Sequence, residues 1–181
     1  MRIFKFSNFQ IFKLLICSLS LLLSSCYTLR NASIPADMKT LDVQFFENNA
    51  LLVVPNLSQN FTEGLKNRIR NQSRLSISRN AEADATMSGS IIGYTIAPVS
   101  IQAVANNVAP IADANRLTIT VRVKFVYNTA KTPADKKLNF EQDFTNYQDY
   151  KGDIGAQEQN LIKTITDKIT EDIFNKAFSN W

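Results

Sequence analysis

Apolar and polar positions alternate most strictly from residue 116 to 127. Leu117, Ile119, Val121, Val123, Phe125 and Tyr127 fall on one side of an extended chain, and Arg116, Thr118, Thr120, Arg122 and Lys124 on the other. Such a period of two predicts a strand with one buried face. Shorter alternations predict strands over Thr40 to Glu47, where Leu41, Val43 and Phe45 oppose Asp42 and Gln44, and over 138–145. In the latter, Leu138, Phe140 and Phe144 oppose Asn139, Glu141, Asp143 and Thr145. A further strand is predicted from Thr86 to Val99, with Ile92, Tyr94 and Ile96 on one face and Gly89, Gly93 and Ala97 leaving the other nearly bare. Glycines inside a strand mark bulges or close approach of another backbone, and a closely packed helix on the bare face would account for them.

Two segments carry the helical period. Leu57, Phe61, Leu65 and Ile69 recur every fourth residue, with Asn56 as N-cap, Gln59 in the capping-box position and an end near Asn71 or Gln72. After Lys151-Gly152-Asp153 and Gly155, the positions Leu161, Ile162, Ile165, Ile169, Ile173, Phe174, Ala177 and Phe178 define a closing helix of about five turns. Asn48-Asn49 reads as a turn, Leu51 to Val54 as a short extended connector ending at Pro55, and residues 128–137 as a turn. The segment from Ser100 to Ala114 is at the upper end of ordinary loop lengths, which marks it as functional or mobile. The element order is β-α-β-β-β-α, an α+β fold with two helices packed on a four-stranded sheet. The last two strands should pair as an antiparallel hairpin, with Glu141 and Asp143 opposite Arg122 and Lys124.

The first residues do not belong to this domain. Arg2, Lys5 and Lys13 precede or border an uncharged run that ends Leu23-Ser24-Ser25-Cys26. This is the n-region and h-region of an export signal, too short for the roughly 20 apolar residues of a spanning helix. The tetrapeptide resembles the lipobox of bacterial lipoproteins, so cleavage is expected before Cys26 and lipidation on its thiol. A diacylglyceryl group with an N-acyl chain supplies more than the single chain that binds a membrane only marginally. The expected organisation is a signal peptide over 1–25, a lipidated tether over 26–38 and one domain over 39–181. No acidic cluster follows the cysteine, which favours a periplasm-facing anchor.

Removal of the signal takes three of the 20 basic residues and none of the 16 acidic ones, so the net charge falls from +4 to +1. The basic balance thus resides largely in the signal and gives no support for nucleic-acid binding. Cys17 leaves with the signal and Cys26 is spent on lipid, so no disulfide framework is available. The chain has no histidine, which excludes Cys/His zinc sites, Ser-His-Asp triads and Cys-His pairs. Asp42, Glu63, Glu141, Asp143, Asp167 and Glu171 occupy periodic positions typical of solvated faces, so a carboxylate-pair hydrolase is not expected. No cofactor is expected either.

The residues resemble a known family, the LptE-like lipopolysaccharide-assembly lipoproteins in their Bacteroidetes form. The resemblance runs through Ser33-Ile34-Pro35, Val43-Gln44-Phe45-Phe46, Leu57 to Lys66, Asn115 to Val121 and Glu171 to Trp181, in order over nearly all of the mature chain. It implies an α+β domain with two helices on a four-stranded sheet. It also implies a role as a plug in the outer-membrane barrel LptD, an inner-leaflet lipid anchor, and help in delivering lipopolysaccharide to the outer leaflet. On that reading Arg116, Arg122 and Lys124 are the candidates for meeting lipopolysaccharide phosphates. The competing account is a solvated or barrel-facing strand surface neutralised by Glu141 and Asp143. Lys66, Arg68, Arg70 and Arg74 suit the C-terminal end of the first helix by dipole complementation, and Trp181 reads either as a barrel contact or, in preference, as a cap on the core against the last helix. The alternative function is a lipid-anchored scaffold for another outer-membrane machine.

Overall fold

The computed structural model describes residues 34–79, 82–99 and 114–179, and the Ser100 to Ala114 loop, Cys26 and Trp181 lie wholly or almost wholly outside them. Six strands and three helices are present among the described residues: β1 Thr40–Val43, β2 Glu47–Asn48, α1 Leu57–Gln72, β3 Ser76–Ser78, β4 Ala85–Pro98, β5 Asn115–Tyr127, α2 Pro133–Lys136, β6 Phe140–Tyr150 and α3 Glu158–Phe178. They build one mixed sheet in the order β3-β1-β4-β5-β6, with β2 also paired to β4. The class is α+β as the sequence pattern predicts, but the sheet has six strands in place of four, and a third, single-turn helix lies in the β5–β6 connection.

The antiparallel β4–β5–β6 meander carries the architecture. All six apolar positions of β5 are buried, from Leu117 to Tyr127. Against them pack α1, through Leu57, Phe61, Leu65 and Ile69, and α3, through Leu161, Ile162, Ile165, Ile169, Ile173, Phe174 and Phe178. Phe125 meets Phe178 edge-on at 5.7 Å between ring centroids and stacks on Phe140 at 5.8 Å, so β5, β6 and the end of α3 share an aromatic cluster.

The predicted first strand is broken. β1 ends at Val43, and the next residues bend so that Phe45 is 57% exposed while Phe46 is fully buried. Phe46 rests edge-on against Phe61 at 5.2 Å, and its N–H donates to the Thr62 hydroxyl at 3.1 Å. The buried aromatic and its satisfied amide outweigh two more residues of regular pairing. β3 lies parallel to β1 on its outer side, and β1 and β2 both run parallel to β4.

In β4 the face turned to the core changes part-way along the strand, from the side of Gly89 to the side of Tyr94. Ala85, Met87 and Ile91 are buried, a bulge interrupts the register between Ile91 and Gly93, and Tyr94 then takes the core face. One extra residue shifts the side-chain alternation, as a bulge must. Gly89 sits on the buried side, where a Cβ would overlap the Arg122 carbonyl oxygen and lie 2.6 Å from Cε1 of Phe46. Close approach of backbone and an aromatic ring, rather than of a helix, requires this glycine.

Helix ends also depart from the pattern. Asn56 adopts the left-handed conformation at φ 63° and makes no side-chain cap bond. It serves as a turn residue, a role that asparagine tolerates. The capping box belongs to α2, where Thr132 and Asp135 satisfy one another's backbone N–H groups. At the other end of α1, the buried Ser73 hydroxyl donates to the Ile69 carbonyl at 2.7 Å and accepts from the Leu75 N–H at 3.1 Å.

Candidate functional site

Both long helices lie on one side of the sheet, so the other side of β4, β5 and β6 is uncovered among the described residues. Register sets what it displays. Arg122 stands between Ser90 and Asp143, Lys124 between Ser88 and Glu141, Thr120 between Gly93 and Thr145, Thr118 between Thr95 and Tyr147, and Arg116 between Ala97 and Asp149. The surface is a carpet of hydroxyls with Arg116 at one end and Arg122 and Lys124 toward the other. Arg116, Arg122 and Lys124 thus share the open face, as their alternation predicts.

Their electrostatic situations differ. Arg116 makes a two-pronged bond to Asp149, at 2.6 Å from Nε and 2.9 Å from Nη2. Arg122 holds Asp143 in the same way, at 2.7 and 2.8 Å. These guanidinium bonds keep both aspartates below the ordinary carboxylate range, and the carboxylates in turn push the arginines up. Lys124 faces Glu141 across the register without an ion pair. The predicted opposition of Glu141 and Asp143 to Lys124 and Arg122 is therefore realised, but neutralisation is complete only at Arg122.

Two members of this surface escape the sequence pattern. β6 runs to Tyr150, five residues past the predicted end, and so supplies Tyr147 and Asp149. The Arg116 guanidinium lies 3.7 Å from the Tyr147 ring centroid, stacked as a cation–π contact while bonded to Asp149. The half-buried polar residues Asn146 and Gln148 stand where apolar ones would have shown the alternation continuing.

The second basic group is structural. Arg68 donates from Nε to the Thr170 hydroxyl at 3.1 Å and from Nη2 to the Asp167 carbonyl at 2.9 Å, tying α1 to α3. Arg74 donates to the Ile34 carbonyl at 2.9 Å. Lys66 pairs with Glu63, and Arg70 bonds to Asn67. Specific acceptors on neighbouring elements, rather than the helix dipole, engage Arg68 and Arg74.

At the strand starts, Asp84 accepts from the Lys39 and Thr40 N–H groups at 2.8 and 2.9 Å and from the Thr40 hydroxyl at 2.9 Å. The two backbone donors, first of all that of Lys39, depress its pKa. A cleft of about 410 Å³ separates α1 from α3, with Phe61 and Ile162 in its lining. Its carboxylates are engaged, Glu63 by Lys66 at 3.2 Å and Asp167 by Lys163 at 2.7 Å. No acid–base pair stands free there.

A match to the family described as lipopolysaccharide-assembly, LptE, spans residues 38–177. The chain belongs to the LptE family. This family consists of outer-membrane-associated lipoproteins that act in lipopolysaccharide assembly and are not enzymes. No curated protein matches the chain in sequence. Solved structures of similar fold include protein CT253 of Chlamydia trachomatis, at 11% identity and TM-score 0.51, covering 78% of this chain and 99% of that one. Lipoprotein B of Nitrosomonas europaea is 14% identical with TM-score 0.52, over 82% of this chain and 87% of that one. Protein XCC0632 of Xanthomonas campestris is 10% identical with TM-score 0.50, over 81% and 89%. At such identities the likeness shows the fold alone, and it is the LptE match that carries the role. Among the described residues no helix is long and apolar enough to cross a membrane.

Proposed function

We propose that this LptE-family protein is cleaved before Cys26, lipidated there, held in the inner leaflet of the outer membrane, and seated in the lumen of the LptD barrel, where it assists assembly of the barrel and delivery of lipopolysaccharide to the outer leaflet. The observation that carries the reading is the open sheet face. It is polar and rich in hydroxyls, and its charges are largely balanced, which suits the polar lumen of a large barrel better than a lipid-facing position. Ile34, the first described residue, is held by Arg74 just past the C-terminal end of α1, and the proposed lipid on Cys26 precedes it in the chain.

Arg116, Arg122 and Lys124 are the residues we assign to lipopolysaccharide phosphates. Of the three, Lys124 has no ion pair among the described residues. The two arginines would exchange Asp149 and Asp143 for phosphate, a substitution that costs little because exposed ion pairs are weak and guanidinium bonds phosphate in the same two-pronged way.

Depletion tests the role: lipopolysaccharide accumulating inside the cell with a misassembled barrel supports it, and normal surface lipopolysaccharide overturns it. Charge reversal of Arg116, Arg122 and Lys124 together tests the contacts, which are refuted if lipopolysaccharide binding and barrel assembly are unchanged. Co-purification separates this function from that of a scaffold for another outer-membrane machine, since only the first requires a large barrel to be recovered with the tagged chain in mild detergent.

A further inference from the structure

The two edges of the sheet are unlike. One is β3, three residues long. The other is β6, which pairs with β5 without interruption from Phe140 to Tyr150 and has no strand on its far side among the described residues. Proteins ordinarily blunt a long edge with charged side chains, lysine above all, or with proline, a bulge or a covering element, and the only charges on β6 are carboxylates, two of them tied back to β5 by Arg116 and Arg122. The sequence of β6, FEQDFTNYQDY, contains no lysine, proline or glycine, and its pairing has no bulge.

The direction of its backbone groups follows from one hydrogen bond. Tyr147 N–H donates to its neighbour's Asn146 Oδ1 at 2.9 Å instead of joining the β5 ladder. In an antiparallel pair every second residue turns both N–H and C=O away from its partner strand. Glu141, Asp143, Thr145, Tyr147 and Asp149 therefore present their backbone outward. The same phase appears at the end of β5, where Tyr127 N–H points toward β6 and bonds to Asn139, and Asn128 N–H points toward β4 and bonds to Asp84. Asn146 covers one outward donor with its own side chain, which a strand carbonyl could replace.

We propose that the outer edge of β6 is a strand-addition site that takes an extended segment of a second polypeptide carrying a lysine or arginine over Glu141. Backbone hydrogen bonds to an edge strand supply affinity, and alternate side chains supply selectivity. β6 carries three carboxylates and no cation, and Arg122 and Arg116 engage two of them. Glu141 is left to meet the added strand. A second copy of this chain is a poor occupant. Antiparallel self-pairing centred on Thr145 sets Glu141 opposite Asp149 twice on one face, and like charges directly opposite oppose pairing.

The inference rests on the reading that the protein works within an outer-membrane assembly, and the two are tested separately. Full-length tagged chain is labelled by hydrogen exchange in intact outer-membrane vesicles, purified, and compared with the chain exchanged alone in detergent. Exchange in the 141–149 segment is expected to be at least about tenfold slower in the vesicles. Equal exchange overturns the edge site, whether or not a barrel co-purifies, whereas absence of the barrel alone counts against the plug.

Thr145→Pro is the matching variant. It removes an outward donor and no ladder bond, a position where a sheet edge accepts proline. Its β6 protection in vesicles is expected to vanish while the purified variant keeps a cooperative melt. Thr145→Val, which loses only the hydroxyl bond to Thr120, should retain protection. Should the proline variant not fold, Glu141→Lys replaces it, with at least a threefold fall in vesicle protection expected, on the order of the weak charge pairs between strands. Full protection in the folded proline variant, or in Glu141→Lys, overturns the proposal.

Discussion

Asp84 shows how a single carboxylate can set the start of a sheet. Its three acceptor bonds to Lys39 and Thr40 hold the start of β1 against the beginning of β4, and the Asp84 N–H returns a bond to the Thr40 hydroxyl at 2.9 Å. Asp84→Asn should destabilise the fold at pH 7 by about 1–2 kcal/mol, the lower part of the range for bonds to a charged group, because the site is partly open to water. Since the folded pKa is lowered, this stability is fully present above the unfolded value of about 3.9 and is lost as pH falls below it through the folded value. Urea melts at pH 7, 5 and 3 should show the deficit of the variant shrinking toward pH 3, and a constant deficit would assign the effect to packing. Gly89 is the second residue with a defined cost. Gly89→Ala drives a methyl into the Arg122 carbonyl and the Phe46 ring, and a loss of about 1–3 kcal/mol or more is expected in chemical denaturation. An unshifted midpoint would show that β4 and β5 separate there freely.

At the scale of elements, the helices are joined by polar as well as apolar contacts. Arg68 reaches from α1 to both a side-chain and a backbone acceptor on α3, and the Thr170 it meets is 2% exposed. Arg68→Lys keeps the charge but not the planar fork that serves both acceptors, so a loss of about 1 kcal/mol is expected. Faster amide exchange in both helices, with β5 unchanged, would locate the effect at their contact. Elements were legible in proportion to their length. The alternation of β5 and the helical spacing of α1 and α3 each persist over many residues, so local errors do not matter. β3, with Leu75 and Ile77 alternating against Ser76 and Ser78, is too short to declare itself, and β2 pairs over two residues with β4. Such strands take their bonds from neighbours already in place. The candidate site divides in the same way, because Arg116, Arg122 and Lys124 follow from the period of β5, whereas Tyr147 and Asp149 depend on how far β6 continues.

For the whole molecule, the design is a two-layer domain with helices on one side and an open polar sheet on the other, in a family that works at the outer membrane. In the proposed arrangement the lipid on Cys26 is the means of retention. Cys26→Ser should move the protein from the membrane to the soluble fraction of the cell envelope while leaving the melting temperature of the domain unchanged. Persistent membrane association of that variant would assign retention to a protein partner. By itself, the sequence determined the α+β class, the buried face of β5 and the two amphipathic helices, and it supplies the expectation of an export signal and of lipidation at Cys26. All of these are properties of short-range order along the chain: period, charge and residue type. Tertiary structure alone decided the six-strand order, the break between β1 and β2, the phase of β4 around its bulge, and the pairing of Arg116 with Asp149. Each of these depends on which distant backbone or ring occupies the neighbouring space, and no local period encodes that.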